Sequence, residues 1–249
     1  MNNDNNSAAS NRKNGAEVPD NVSPDLNNMD ALSLYLKSSA GSRKGRAIPP
    51  LENWHPDNVA DMDLVIKANG EWWHEGDEMT RESLVSLFAT ILWKEENEGI
   101  TEYFLKTPVQ KIRIQVEDAP FLINDVGIVN EGNKSWLEFT TTTGDVVRLD
   151  DEHQIILKAY NAKGDNAKGH NAIDRITADV EVEAESYQGK IPETQIRPYM
   201  PVRNGLTALI GRNTFYHLTE IGELKEQDGK VILTLQSGGS SYQLSMPAD

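Results

Sequence analysis

The chain has 249 residues and a formal charge of −15 at pH 7, with a sequence pI near 4.8. That balance excludes DNA, RNA and anionic membranes as principal partners, because each is held by a basic face. Cysteine is absent, which excludes disulfides and thiolate chemistry; a metal site would have to be built from His and carboxylates. The length accommodates one large domain or two small ones. The N-terminus carries no apolar leader core, and no run approaches the roughly 18 apolar residues of a membrane span. The expectation is a soluble, acidic, cytoplasmic protein.

Residues 1 to about 23 are rich in Asn, Asp and Ser and hold almost no large apolar groups. Such a segment cannot bury enough surface to offset its ordering entropy and is expected to be disordered. Met29, Leu32 and Leu36 fall at helical spacing, which predicts a short helix within 25–38 that docks on a partner or, as the favoured readings, on the body of the protein or on nothing. Ser38 to Arg46 reads as a solvated Gly/Ser linker. The folded body begins near Ile48-Pro49-Pro50. Asn69-Gly70 is a turn signal leading into the strand Glu71-Trp72-Trp73-His74. Strand alternation puts Trp72 and His74 on one face and Glu71 and Trp73 on the other, so one Trp faces a core and the other a second layer or a ligand. A helix is predicted from about Thr80 to Glu96, with Thr80 as N-cap and Leu84, Leu87, Phe88, Ile91 and Leu92 as its apolar stripe.

From Tyr103 the periodicity becomes that of strands. Ile112, Ile114 and Val116 alternate with Lys111, Arg113, Gln115 and Glu117, the pattern of a half-buried strand. Trp136–Thr141, Val146–Leu149 and His153–Lys158 continue as short strands with a turn at Thr143-Gly144-Asp145. Residues 159–194, with Asn161-Ala162-Lys163-Gly164 repeated as Asn166-Ala167-Lys168-Gly169, read as a flexible insertion with a weak edge strand at Ile176–Val182. A short helix bearing Leu206, Leu209 and Ile210 is expected next, followed by strands at Phe215–Leu224, Lys230–Gln236 and Tyr242–Ser245. The spacing of Arg81, Leu84, Leu87 and Phe88 recurs in Arg203, Leu206, Leu209 and Ile210, which suggests a duplication.

Several of these stretches together resemble the bacterial family catalogued as "domain of unknown function 1285". They are Asn69-Gly70-Glu71-Trp72 with Gly76 and Arg81, Leu84 to Ala89, Tyr103-Phe104-Leu105 with Thr107-Pro108-Val109, Val116 to Phe121, Arg197-Pro198-Tyr199 with Arg203 and Gly205-Leu206, and Ser237-Gly238-Gly239. The resemblance covers about 48–158 and 195–245. It implies a bacterial cytoplasmic α+β protein of two related antiparallel-sheet-plus-helix subdomains, the C-terminal one superficially pleckstrin-homology-like. It also implies a ligand site between them for a nucleotide-like molecule and a signalling role. The chain departs from the family in its N-terminal extension, its longer 159–194 loop, Gln110 in place of Glu, and Ser240-Ser241 in place of aromatics. The expected division is an extension at 1–46, an N-terminal subdomain at 47–130 and a C-terminal subdomain at 131–249.

No catalytic motif stands out. His74, Glu75 and Glu78 suggest a metal site, but His74 and Glu75 lie on opposite strand faces and no second His sits at ligand spacing, so neither a metal nor a cofactor is expected. Ser237-Gly238-Gly239-Ser240 joins strand to strand, without the helix N-terminus that makes a phosphate loop. Asp118 shares strand parity with Ile112, Ile114 and Val116; a carboxylate so placed caps the following turn, pairs with an Arg or meets a ligand. Arg81, Arg197, Arg203 and Arg212 either pair with internal carboxylates or converge on an anion. The ligand-facing candidates are therefore Trp72, Trp73, Arg81, Asp118, Arg197, Arg203 and Arg212. They suit a non-catalytic sensor of a small anionic ligand. The alternative is an adaptor that binds a protein through strand edges and the N-terminal extension.

Overall fold

The structure is a computed structural model that describes residues 26, 28–39, 47–160 and 195–247. The expectations for 1–23, for residues 40–46 of the Ser38–Arg46 linker and for most of the 159–194 insertion, including its edge strand, lie outside the described residues, while Ser38 and Ser39 belong to the first helix. The first elements are α1 (Met29–Ser39), β1 (Val59–Ile66), β2 (Trp72–His74), β3 (Asp77–Glu78) and α2 (Glu82–Ala89). Next come β4 (Leu92–Asn97), β5 (Ile100–Lys106), β6 (Lys111–Val116), β7 (Phe121–Glu131), β8 (Lys134–Thr141) and β9 (Val146–Arg148). The chain closes with β10 (Ile156–Tyr160), β11 (Gln195–Arg203), β12 (Leu206–Ile210), α3 (Arg212–Ile221), β13 (Glu223–Gln227), β14 (Lys230–Ser237) and β15 (Ser240–Pro247).

Two six-stranded sheets share one topology. Their orders are β3-β2-β1-β6-β5-β4 and β10-β11-β12-β7-β8-β9. In each, three strands step outward from the centre, the chain crosses over, and three more step back in. The two central strands then meet in parallel, β1 with β6 and β12 with β7, while every other neighbour is antiparallel. The sheets are therefore mixed and not purely antiparallel. β7 belongs to the second sheet, so the division between sheets falls after Val116, inside the 47–130 span expected for the first subdomain. The third sheet, β13-β14-β15, is an antiparallel meander that follows α3.

The duplication is real at the level of the sheets, but its register differs from the one read in the sequence. Arg81–Phe88 enters α2, whereas Leu206–Ile210 is strand β12, reached from Arg203 through the tight Asn204-Gly205 turn. The Phe215–Leu224 strand is likewise mostly helix α3. The predicted 80–96 helix stops at Ala89. Thr90 closes it with both its backbone N–H and its hydroxyl donating to the Leu87 carbonyl. Leu92–Asn97 then pairs residue for residue with β5 across the two-residue turn Glu98-Gly99, both at positive φ. A cross-strand ladder satisfies that backbone and outweighs a helical stripe that charged Lys94-Glu95-Glu96 would have continued.

Other readings hold. Ile112 and Ile114 are buried while Arg113 and Gln115 are exposed. The N-terminal helix forms and docks: Leu26, Leu32 and Leu36 are buried, and α1 packs on α2. Asn28 caps it through its side-chain oxygen. The Leu26 N–H donates to Gln110 Oε1 at 2.9 Å, both residues being buried. Gln110, just before β6, thus supplies an acceptor for the N-terminal segment. Among the described residues no helix is long and apolar enough to cross a membrane.

Candidate functional site

The predicted ligand-facing residues fall at several places in the fold. Trp72 is buried in the core, and Trp73 is half-buried with its indole N–H donating to Glu71 Oε2 at 3.0 Å. Strand alternation separates the pair as expected, with the core side taken by Trp72. Arg81 is exposed at the start of α2, and Arg203 binds at that helix's other end, on the carbonyl of Ala89. Eight helical residues put about 12 Å between those ends. Arg212 is exposed on α3, where its Nη2 donates to the Tyr216 hydroxyl at 3.3 Å. Of the four arginines, only Arg197 and Arg203 reach the junction between the sheets.

The first junction cluster centres on Asp118, in the short connection between β6 and β7. Its side chain is 8% exposed, accepts from Arg197 Nη1 at 2.8 Å and from the Tyr199 hydroxyl at 2.6 Å. Arg197 and Tyr199 are two residues apart on β11, so alternation puts both on the face that meets Asp118. The guanidinium also lies over the Tyr160 ring at 3.5 Å, and its remaining nitrogens donate to Gln195. Asp118 is thus an internal ion-pair partner, one of the outcomes that its strand parity allowed.

This cluster has a pH signature. Burial, with the Asp118 carboxylate and Glu96 adding to it, pushes the Tyr103 phenol up to about 12. Burial and the bond to Asp118 raise Tyr199 as well. A phenol whose folded pKa lies above its unfolded value stabilises the fold fully below about pH 10, and that stabilisation is lost as pH rises toward the folded pKa. Unfolding midpoints measured by urea titration are expected to fall steeply between about pH 10 and 12. Tyr103→Phe and Tyr199→Phe should flatten the fall. Identical alkaline slopes in wild type and both variants would contradict this assignment.

The second cluster centres on Arg203, next to the β11–β12 turn. Its Nε donates to Asp145 Oδ1 at 2.8 Å, and the two side chains are 14% and 6% exposed. Its Nη2 donates to the Ala89 carbonyl, an acceptor at the C-terminal end of α2, where cations are favoured. The guanidinium lies 5.0 Å from the Phe121 ring centre. Nη1 is sealed from solvent and has no hydrogen-bond partner among the described residues. Asp145 sits in the Thr141–Asp145 turn, with Thr143 Oγ1 donating to its Oδ2 and its own N–H donating to Thr141 Oγ1. One side chain therefore ties a helix of the first sheet's unit to a turn of the second.

The sheets also exchange turn contacts. At Gly70 (φ +87) a Cβ would stand 2.8 Å from Leu122 Cβ on β7. At Gly205 (φ +71) it would stand 2.9 Å from Lys94 Cε on β4. The turn of each unit presses on a strand of the other; at Gly70 both the backbone and the approach to Leu122 favour glycine, whereas at Gly205 the Lys94 side chain can shift and the positive φ is the stronger constraint. Gly70 closes a three-residue loop, Ala68–Gly70, rather than a two-residue turn, because the Lys67 N–H donates to the Glu71 carbonyl.

Ser237-Gly238-Gly239 is a turn between β14 and β15, as expected, and it also has a joining role that spacing did not reveal. The Ser237 hydroxyl donates to the Leu149 carbonyl at 2.7 Å and accepts from the Leu137 N–H at 3.1 Å, and the Gly238 N–H donates to the Ser135 carbonyl. These bonds fasten the third sheet to β8 and to the residue that follows β9. Among the described residues no three His, Asp or Glu side chains gather as metal ligands.

The fold and its junction define a protein of two topologically equivalent α+β units, joined through the Arg197–Asp118 ion pair and through the bond from Arg203, itself paired with Asp145 inside the second unit, to the Ala89 carbonyl, and completed by a small antiparallel sheet. Residues 49–119 match the N-terminal domain, and residues 174–244 the C-terminal domain, of the family described as Domain of unknown function (DUF1285), and the chain belongs to that family. Strands β7 to β10 lie between the two matched stretches. A DUF1285 family protein from Silicibacter pomeroyi DSS-3 is similar in structure, with 32% identity, a TM-score of 0.57 and coverage of 85% of this chain and 94% of that one. A second family member, from Shewanella baltica OS155, is 26% identical over 64% of this chain and 91% of that one, with a TM-score of 0.40. No curated protein matches the chain.

Proposed function

We propose that this protein is a non-catalytic binder of a small anionic molecule, nucleotide-like in class, held between its two units and read out as a cytoplasmic sensing signal. The observation that carries this reading is Arg203 Nη1, a buried donor at the junction with no acceptor among the described residues. A buried donor left unpaired costs about 1–3 kcal/mol, which an acceptor oxygen would recover. Arg203 stands in for the wider arginine set, since Arg197 is already committed to Asp118 and Gln195, and Arg81 and Arg212 lie elsewhere. A thermal-shift series with inorganic phosphate, nucleoside phosphates and short dicarboxylates at millimolar concentration tests the reading. A ligand present at about 100 times its Kd should stabilise by about 2.7 kcal/mol. No shift with any of these compounds would sink it.

A second reading, a protein-binding adaptor, is favoured by β13. All five of its residues are exposed, it edges the third sheet, and Leu224 on it is 49% exposed. Such an edge offers unpaired backbone groups to a partner strand. A charge reversal at Lys225 that leaves every complex intact would remove this reading.

A further inference from the structure

The outer face of the first sheet carries a cluster that no part of the junction uses. Phe104 is 2% exposed on that face, and Trp93 stands opposite it on β4. Three cations lie over these rings: Lys106 Nζ is 3.9 Å from the centre of the Trp93 ring, and Lys111 Nζ and the Arg113 guanidinium are 5.0 Å and 5.8 Å from the Phe104 centre. Two of them have counterions. Lys111 pairs with Glu95 at 2.7 Å, and Arg113 pairs with Asp61 and Glu102 at 2.9 Å and 2.8 Å. Lys106 is only 4% exposed, and its ammonium has no hydrogen bond or ion pair among the described residues. Arg203 Nη1 is the only side-chain nitrogen or oxygen there that is sealed without a partner. The Lys106 amine therefore keeps contact with water while its stem is covered.

An amine stripped of most of its water and set beside a second cation loses its proton more readily than an exposed lysine, and the neutral amine is the nucleophile. Burial lowers the Lys106 pKa, with Lys111 adding to the effect against the opposing carboxylates of Glu95 and Glu52. The Trp93 face recovers some of the ammonium's lost hydration without supplying a counter-charge. We propose that Lys106 is a reactive-amine site that captures a small aldehyde or 2-oxo acid as a reversible imine over Trp93. The neutral Nζ adds its lone pair to the carbonyl carbon, a C–N bond forms, and the C=O π pair moves to oxygen. Water carries the proton from nitrogen to that oxygen, and loss of water leaves the C=N bond.

The test treats the full chain at pH 7 with glyoxylate and sodium cyanoborohydride, whose hydride reduces the imine to a stable secondary amine, and maps the products by peptide mass spectrometry. Lys106 is expected to be labelled several-fold faster than the exposed Lys134, Lys225 and Lys230. In Lys111→Gln the like charge is gone and Glu95 is released, so Lys106 labelling should slow and its pH profile should move to higher pH. Circular dichroism confirms that the variant is folded. Labelling of Lys106 at or below the level of the exposed lysines overturns the proposal. So does a pH profile that Lys111→Gln leaves in place.

Discussion

Arg203→Met is expected to cost about 3–5 kcal/mol in urea unfolding, the cost of breaking a buried charge pair by removing one partner. The substitution keeps much of the stem's packing beside Phe121 but deletes the donors to Asp145 and to the Ala89 carbonyl. Both acceptors lie out of bulk water, so they lose a donor without regaining full hydration. The effect should exceed that of Arg113→Met on the outer face, because Arg113 and Asp61 are 44% and 77% exposed and such pairs contribute about 0–1 kcal/mol. A double-mutant cycle with Asp145→Asn separates the pair energy from the bond to Ala89: coupling of at least about 1 kcal/mol is expected. Equal costs for Arg203→Met and Arg113→Met would show that the junction is not held by this guanidinium.

The same residue shows what the sequence could and could not disclose. Arginines in an acidic chain announced ion pairs or an anion site, and the choice between them depended on which carboxylates came near. Asp118 and Asp145 are 79 and 58 residues away from Arg197 and Arg203. No local spacing encodes such a pairing; it follows from β11 and β12 returning to the centre of a sheet that β7 began. Alternation at Ile112 and Ile114 was legible because a half-buried strand writes its exposure into every second residue. The helix that overshot Ala89 illustrates the opposite case. Ile91 and Leu92 fit a helical stripe as well as the start of a strand, and only the ladder with β5 decides between them. The repeat was sensed but misaligned, because four apolar and basic positions can match by composition while strand order cannot. What repeats is the route of the chain through six strands, and that becomes visible only once both parallel pairs are known.

Gly238→Ala is expected to be among the most damaging glycine-to-alanine changes at the described residues. A Cβ there would stand 2.4 Å from Trp136 Cζ3 and 2.5 Å from its Cη2, well inside contact distance, on a residue at φ +62. The turn cannot simply move away from the ring, because it is tied down by the Gly238 N–H to Ser135 and the Ser237 hydroxyl to Leu149. Left-handed strain contributes about 1–2 kcal/mol, and forcing atoms into a packed contact about 1–3 kcal/mol more. Gly229→Ala separates the two terms: its φ is +71, but its Cβ would meet nothing within 4 Å. It should therefore show the strain alone. Gly238→Ala should unfold at clearly lower urea than Gly229→Ala and lose near-ultraviolet dichroism from Trp136 as the third sheet lifts from β8. Equal midpoints for the two variants would mean that the Ser237-Gly238 contact contributes nothing to the joint and that the third sheet is held by α3 and the apolar side chains of β14 alone.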